Sequence, residues 1–482
     1  MQNSLISLRD VPHFDDTADV LVIGYGIAGV CAALEARRAG GDVLVVERAS
    51  AGGGASALSS GLFYLGGGTA VQKACGFDDS PDDMYRFMIA SMGSENADLV
   101  RRYCDENVSH FDWLESQGVP FERTCYEGKA VFLLGTEGLL STGNEKLWPY
   151  REIARPAPRG HQATGEGESP GNVAMAALTT RCEDEGVRIS CDSQVTALIA
   201  DDTGKICGVR LRREGKTLHY EAGTGVVIAS GGFAMNPDMV RENIPVLPDT
   251  AEPLGSPWND GCGIRLGLSA GAATNAMEGV IATASIYPPG QLIKGIIVNK
   301  FGKRFVAEDS YHGRTAAFIS EQPEQRAYLI VDEEIFAYPE IESARHQLVD
   351  GYENIEEMEA GLDIPAGALS RTLRQYNVAA RKGEDPLFYK HPDWLKPLEN
   401  GPYAAFDISF NRSFYLFMTL GGLEVDSDAR VLDKKGRPIP GLCAAGACTA
   451  HIPKSGKSYA SGMSLGPGSY FGRVAGMTLM SQ

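Results

Sequence analysis

Residues 19–47 read DVLVIGYGIAGVCAALEARRAGGDVLVVE, and the order of residue types in this stretch sets the fold. Residues 19–24 form a short apolar run rich in β-branched side chains, the pattern of a parallel strand buried on both faces. Residues 27–39 carry Ala, Leu and Arg at helical spacing, and Gly40 supplies the stop. Residues 43–47 read as a second strand. Together they make a βαβ unit, the opening of a doubly wound α/β fold. Between first strand and helix lies Gly24-Tyr25-Gly26-Ile27-Ala28-Gly29, a G-x-G-x-x-G turn. Gly24 permits the tight turn, Gly26 lets the backbone approach a pyrophosphate, and Gly29 lets helix and strand pack closely. The helix N-terminus offers N–H groups to the anion. Glu47 ends the second strand, where a carboxylate can accept hydrogen bonds from both hydroxyls of an adenosine ribose. The unit predicts a dinucleotide site.

Outward from this unit, the theme recurs. A strand-like run, Gly225 to Ala229, ends in Ser230-Gly231-Gly232, and Gly441 to Gly446 repeats the pattern. The 57 glycines cluster in such places beside β-like runs, which suggests close approaches between backbone and a large ligand. The expected architecture is a Rossmann-like nucleotide-binding domain in two pieces, residues 1–274 and 412–482. An inserted α+β domain over residues 275–411, which would serve substrate and catalysis, interrupts it.

Composition narrows the function. The chain has 482 residues, 43% of them hydrophobic, enough for a large core. Its net charge of -18 repels phosphate backbones and argues against a nucleic-acid partner. The N-terminus has the pattern of neither a signal nor a transit peptide, and no apolar run approaches the length of a membrane span. A cytoplasmic protein without a transmembrane segment is expected. The ten cysteines lie singly, without a C-x-x-C pair, and the eight histidines lack metal-ligand spacing. Reduced thiols and no metal are expected.

The segment after the second strand favours FAD over NAD. Gly52-Gly53-Gly54-Ala55-Ser56 is followed by Ser59-Ser60-Gly61. Here the chain resembles the fumarate reductase and 3-ketosteroid dehydrogenase superfamily of flavoproteins, along nearly its whole length. Further marks are Gln194-Val195, Ala229-Ser230-Gly231-Gly232, Asn259-Asp260-Gly261, Ala445-Gly446 and Gly462-Met463-Ser464-Leu465-Gly466. The resemblance implies FAD contacts at Gly24, Gly26, Ile27, Ala28, Gly29, Glu47 and Arg48. It adds Ala55, Ser56, Ser59 and Gly61 near the second phosphate and the flavin, and Val195 on the adenine side. Ala229, Gly231, Asp260 and Gly446 are implied too, with Ser464 and Leu465 near the pyrimidine edge of the flavin. Ala447 departs from the acid many relatives carry after the glycine. The histidine used for covalent flavin attachment has no counterpart, since His13 and His161 sit in other contexts, so non-covalent FAD is expected.

The superfamily divides by substrate. Its fumarate-reducing branch binds a dianion with arginines, one of them four residues after the Glu of an R-F-x-N-E segment. This chain reads Arg304-Phe305-Val306-Ala307-Glu308-Asp309-Ser310-Tyr311-His312, and its last part reads Gly456-Lys457-Ser458-Tyr459-Ala460-Ser461-Gly462. Tyrosine, serine and histidine stand where the dicarboxylate arginines would, and a dianion without guanidinium partners is poorly paired. Both stretches resemble 3-ketosteroid dehydrogenases, the Δ4-(5α) branch more than the Δ1 branch, whose terminal tyrosine is followed by Pro-Gly-Pro-Gly. The resemblance implies catalytic roles for Tyr311, Tyr459, Ser461 and Gly462. The implied reaction desaturates C4–C5 of a 5α-3-ketosteroid by proton removal from C4 and hydride transfer from C5 to flavin N5.

The chemistry suits these residue types. Tyr459 and the Gly462 N–H can form an oxyanion-type donor pair for the C3 carbonyl. Ser461 can take the C4 proton only through a relay, with Tyr459 or Tyr311 as partner, and the order of acceptance stays open. His312 and Arg314 read as structural or solvent-facing, and Asp309 as a local cap or pair. Phe63 and Tyr64, in the uncharged segment 58–71, would line an apolar substrate pocket, with core packing as the alternative. Phe406, Phe410, Phe414, Tyr415 and Phe417 suit a steroid wall or an interdomain core. Electrons would pass to an external acceptor, with a quinone as one candidate. Δ1 desaturation, the reverse ene-reduction, and a flavin-containing binding or sensor protein are the competing readings.

Overall fold

The computed structural model describes residues 5–481 apart from 166, 168, 284, 285, 288 and 339–346. The βαβ unit forms as strand Asp16–Ile23, helix Ile27–Arg38 and strand Val43–Val46. The strands pair in parallel, with Val20 opposite Val43 and Ile23 opposite Val46. Val20, Val22 and Val45 enter one core cluster, while Leu21, Leu44 and Val46 enter another on the opposite face. Burial on both faces is why the run is continuously apolar rather than alternating. Gly40 follows the helix with a φ of 94°, the left-handed geometry that glycine adopts without a Cβ clash.

The long strand Lys216–Ile228 organises a nine-stranded sheet. Its first half pairs antiparallel with Ile206–Arg213. Its second half runs parallel between Asp16–Ile23 and Pro438–Ala444. Gly225 allows that second pairing, because a Cβ there would lie 2.5 Å from the Gly441 carbonyl oxygen. Residues from both ends of the chain thereby share one sheet. The C-terminal helix Leu465–Met480 lies along helix Ile27–Arg38. Side chains at Gly472 and Gly476 would overlap the carbonyl oxygens of Ala28 and Ala32.

Three of the four smaller sheets among the described residues frame the site. Strands Ile296–Asn299, Ala327–Asp332, Tyr403–Asp407 and Gln347–Tyr352 form an antiparallel sheet in that order. Its core, including Ile297, Leu329 and Phe406, also takes in Met358 and Leu373 from helices Ile355–Gly361 and Ala368–Ala380. Strand Tyr415–Thr419 pairs with both Ala251–Pro253 and Val280–Ala282. Strand Gly160–Gln162 lies between Leu62–Tyr64 and Leu139–Leu140. This last sheet meets the C-terminal segment, where the Tyr64 N–H donates to the Gly462 carbonyl at 3.0 Å. No helix among the described residues is long and apolar enough to cross a membrane.

The helix pairing yields a test. Gly476→Leu forces the two helices apart, and overpacking of this kind costs about 1–3 kcal/mol. The urea midpoint of the FAD-loaded protein should fall, and an unchanged midpoint would contradict the close packing.

Candidate active site

A cavity of about 650 Å³ opens at the carboxyl ends of the parallel strands, where open α/β sheets bind ligands. The glycine turn builds one end. Gly24 has a φ of 103°, and a Cβ there would lie 2.5 Å from the Ala229 carbonyl oxygen. A Cβ on Gly29 would overlap the Gly24 carbonyl. These two glycines are demanded by the protein's own packing. Gly26 is not: its hypothetical Cβ meets nothing closer than Ser56 Oγ at 3.5 Å. It lines the cavity with Ile27 and Ala28, so a ligand's approach explains it better than packing does.

Glu47 is held by its neighbours. One carboxylate oxygen accepts from the Tyr25 N–H and the other from the Ala49 N–H, both at 2.7 Å. Arg48 pairs with Asp260 at 2.7 Å and lies over the Trp258 ring. Ala55, Ser56 and Ser59 follow along the wall, and the Ser56 hydroxyl accepts from the Ile27 N–H at 3.1 Å. Val195, Ala229, Gly231 and Gly446 line it as well. The buried Ser230 hydroxyl has no hydrogen-bond partner among the described residues. A glycine cradle at a helix start, a fixed carboxylate and an orphaned hydroxyl fit a dinucleotide. Gly29, Gly61 and Asp260 stand behind the wall instead: Gly61 packs against Gly171, and Asp260 anchors Arg48.

At the other end, Tyr311, Tyr459, Ser461 and Gly462 converge on the cavity. The Tyr311 and Ser461 hydroxyls lie 3.0 Å apart, and Ser461 donates to the Val131 carbonyl at 3.1 Å. The Tyr459 hydroxyl instead meets Ser464 Oγ at 2.8 Å. The Tyr311 N–H is held by Asn144 Oδ1. Burial pushes the Tyr311 phenol well above its ordinary value and the Tyr459 phenol up to about 12. Gly462 has a φ of 95°, and its N–H has no acceptor among the described residues.

Several expectations are corrected here. Of the two readings of His312, the solvent-facing one fails, and its ring nitrogens have no hydrogen-bond partner among the described residues. It lines the cavity 2% exposed, its ring 4.1 Å from that of Tyr311. Burial pushes its imidazole down to about 3, so it is neutral. Asp309 pairs at long range, accepting from the His391 N–H at 3.0 Å. Phe63 and Tyr64 do not line the cavity. Both are fully buried, Phe63 against Phe121 and Tyr64 bonded to Glu145, while Leu62 from the same strand faces the site. Of the aromatic cluster only Phe414 lines the cavity; Phe406, Phe410, Tyr415 and Phe417 are core.

The sequence reading missed Leu416, Met418, Val131 and His451 as lining residues. For Leu416 and Met418 a signal existed: strand alternation from Phe414 puts 414, 416 and 418 on one face. His451 carried no motif. Its Nδ1 lies 3.2 Å from the Leu420 carbonyl, and burial pushes it down to about 4.

Arginine is nearly absent from the wall. Arg48, at the glycine-turn end, is the one arginine among the described lining residues. Arg304 is buried elsewhere, donating to Glu308 at 2.8 and 2.7 Å and to Asp385 at 3.0 and 2.8 Å. No described group of three His, Cys, Asp or Glu could hold a metal.

Comparison with known proteins places this geometry. The FAD binding domain family matches residues 19–461. The chain is 28% identical to a 3-oxo-5-alpha-steroid 4-dehydrogenase of Comamonas testosteroni, over 92% of this chain and 94% of that protein. It superposes with a TM-score of 0.93 on a 3-ketosteroid-delta4-(5alpha)-dehydrogenase from Rhodococcus jostii RHA1, solved in complex with 4-androstene-3,17-dione. The two are 40% identical, and 99% of each chain is covered. A 3-ketosteroid delta1-dehydrogenase from Sterolibacterium denitrificans shares the fold, at 22% identity and a TM-score of 0.70 over 97% of this chain and all of that one. The chain belongs to the FAD binding domain family and is an FAD-dependent oxidoreductase of the 3-ketosteroid dehydrogenase branch.

Proposed function

We propose that the protein is a 3-ketosteroid Δ4-(5α)-dehydrogenase, desaturating the C4–C5 bond of 5α-reduced 3-ketosteroids. The observation that carries this reading is the Ser461–Tyr311 hydroxyl pair at 3.0 Å in a cavity end without arginine. Bound FAD supplies the hydride acceptor for C5. Ile27, Ala28 and the glycine turn would hold its pyrophosphate, Glu47 its ribose, and Ser464 and Leu465 the flavin edge. Residues 275–411 would act as the substrate domain.

The remaining chemistry belongs to the side chains. Leu62, Val131, Phe132, Ile281, Leu416 and Met418 give the cavity an apolar wall. Burying a steroid against it gains about 25 cal/mol per Å² of apolar area. The Tyr459 O–H and the Gly462 N–H donate to the C3 carbonyl oxygen, which acidifies the C4 protons. Ser461 takes a C4 proton while handing its own to a Tyr311 oxygen that has already lost its proton. Tyr311 is taken as the relay partner because its hydroxyl lies 3.0 Å from that of Ser461. A low-dielectric, water-poor site strengthens both donors. Turnover then needs an external two-electron acceptor, and a quinone fits that role.

Anaerobic mixing with 5α- and 5β-reduced 3-ketosteroids tests the reading. Only the 5α series should bleach the flavin, giving the 4-ene-3-ketone. A 1-ene product would transfer the protein to the Δ1 reaction, and an unbleached flavin would end the enzymatic reading. Tyr459→Phe should lower the bleaching rate by about 10²-fold with FAD retained; a wild-type rate would remove Tyr459 from the carbonyl site.

A further inference from the structure

The Ser461 hydroxyl has one proton to give and two neighbours that take it. The Val131 carbonyl, at 3.1 Å, can only accept; the Tyr311 oxygen, at 3.0 Å, can accept or donate. With the serine proton on the carbonyl, the pair must run from Tyr311 O–H to Ser461 Oγ. Handing the proton to Tyr311 means leaving the carbonyl. The position of Val131 therefore governs how Ser461 works.

Val131 lies in a stretch, residues 126–138, without helix or strand. Gln162 holds this stretch in place. It is fully buried, and its side-chain amide pairs with the Leu133 backbone in both directions. The Leu133 N–H donates to Oε1 at 3.0 Å, and Nε2 donates to the Leu133 carbonyl at 3.2 Å and to Gly135 at 3.4 Å. The side chain thus supplies what a neighbouring strand would supply. Gln162 itself is fixed in strand Gly160–Gln162 opposite Leu62. Leu62 packs with Ala130 and Leu133 in a small core. From the same sheet, Tyr64 holds the Gly462 carbonyl. One small sheet therefore steadies both the carbonyl donor and the proton acceptor.

We infer that Gln162 is a positioning residue for proton removal: by clasping Leu133 it sets the Val131 carbonyl against Ser461 and so holds the serine oxygen at the point from which its O–H turns from that carbonyl to a deprotonated Tyr311. This rests on the desaturation reading. In the step it serves, the C4–H bond breaks and an O–H bond forms at Ser461. The serine's own O–H bond breaks, and one forms at a Tyr311 oxygen already deprotonated. The C–H electron pair passes to the developing enolate.

The test uses FAD-loaded Gln162→Met and anaerobic bleaching by 5α-androstane-3,17-dione, unlabelled, 4,4-dideuterated or 5-deuterated. The rate should fall about tenfold to a hundredfold, as when a reacting group is misplaced by a distant change. The isotope effect at C4 should rise above the wild-type value, and that at C5 should not. In a Ser461→Ala background the same substitution should cost no more than about twofold, because linked residues are non-additive. An equal loss with an unchanged C4 effect would overturn the inference, as would a full multiplicative loss on Ser461→Ala. Should Gln162→Met not retain FAD, Gln162→Glu keeps the acceptor for the Leu133 N–H and carries the same test. A wild-type enzyme that this steroid does not bleach would sink the parent reading, and the inference with it.

Discussion

Tyr311 and Ser461 stand 150 positions apart in the chain, and their hydroxyls meet at 3.0 Å. Each is held from a different direction: Tyr311 through its N–H on Asn144, Ser461 through its proton on Val131. A serine hydroxyl alone is a poor base, and a buried tyrosine alone is too weakly acidic to exchange protons readily. In the proposed reaction, their coupling lets a proton enter at one oxygen and settle on the other. The smaller sheets and the irregular stretch around Val131 matter because they hold this contact.

The two histidines that line this end of the cavity are uncharged. His312 and His451 are pushed down to about 3 and about 4 by burial, so neither carries charge at ordinary pH. Arg304 is spent on Glu308 and Asp385, in a buried network that Lys390 joins through Glu308. Replacing one partner of such a network leaves a buried charge uncompensated, which gives Arg304 a structural role away from the cavity. A small dianion would find no arginine at this end among the described residues, whereas a neutral ketone needs only two donors and an apolar wall.

Much of this was legible in the sequence, for identifiable reasons. Glycine turns are local, so Gly24, Gly26 and the strands around them could be read from spacing alone. Tyr311, Tyr459 and Ser461 were legible through family resemblance, and their pairing was not, since it depends on contacts between distant segments. Phe63 and Tyr64 misled because an uncharged segment looks the same whether it faces a core or a ligand. Only the pairing of Leu62–Tyr64 with Gly160–Gln162 decides which side chain turns outward. His312 was left between a structural and a solvent-facing place because only contacts between distant segments decide its burial.

The most direct measurement is the pH dependence of anaerobic flavin reduction by a 5α-3-ketosteroid, in wild type and Tyr311→Phe. Burial raises the Tyr311 phenol well above its ordinary value, and only its deprotonated form can take the serine proton. The wild-type rate should therefore climb steadily with pH from about 6 to about 10 without a plateau, nearing tenfold per pH unit. Tyr311→Phe should be slow and flat over that range. A pH-independent wild-type rate, or a phenylalanine variant that keeps the wild-type slope, would contradict the relay.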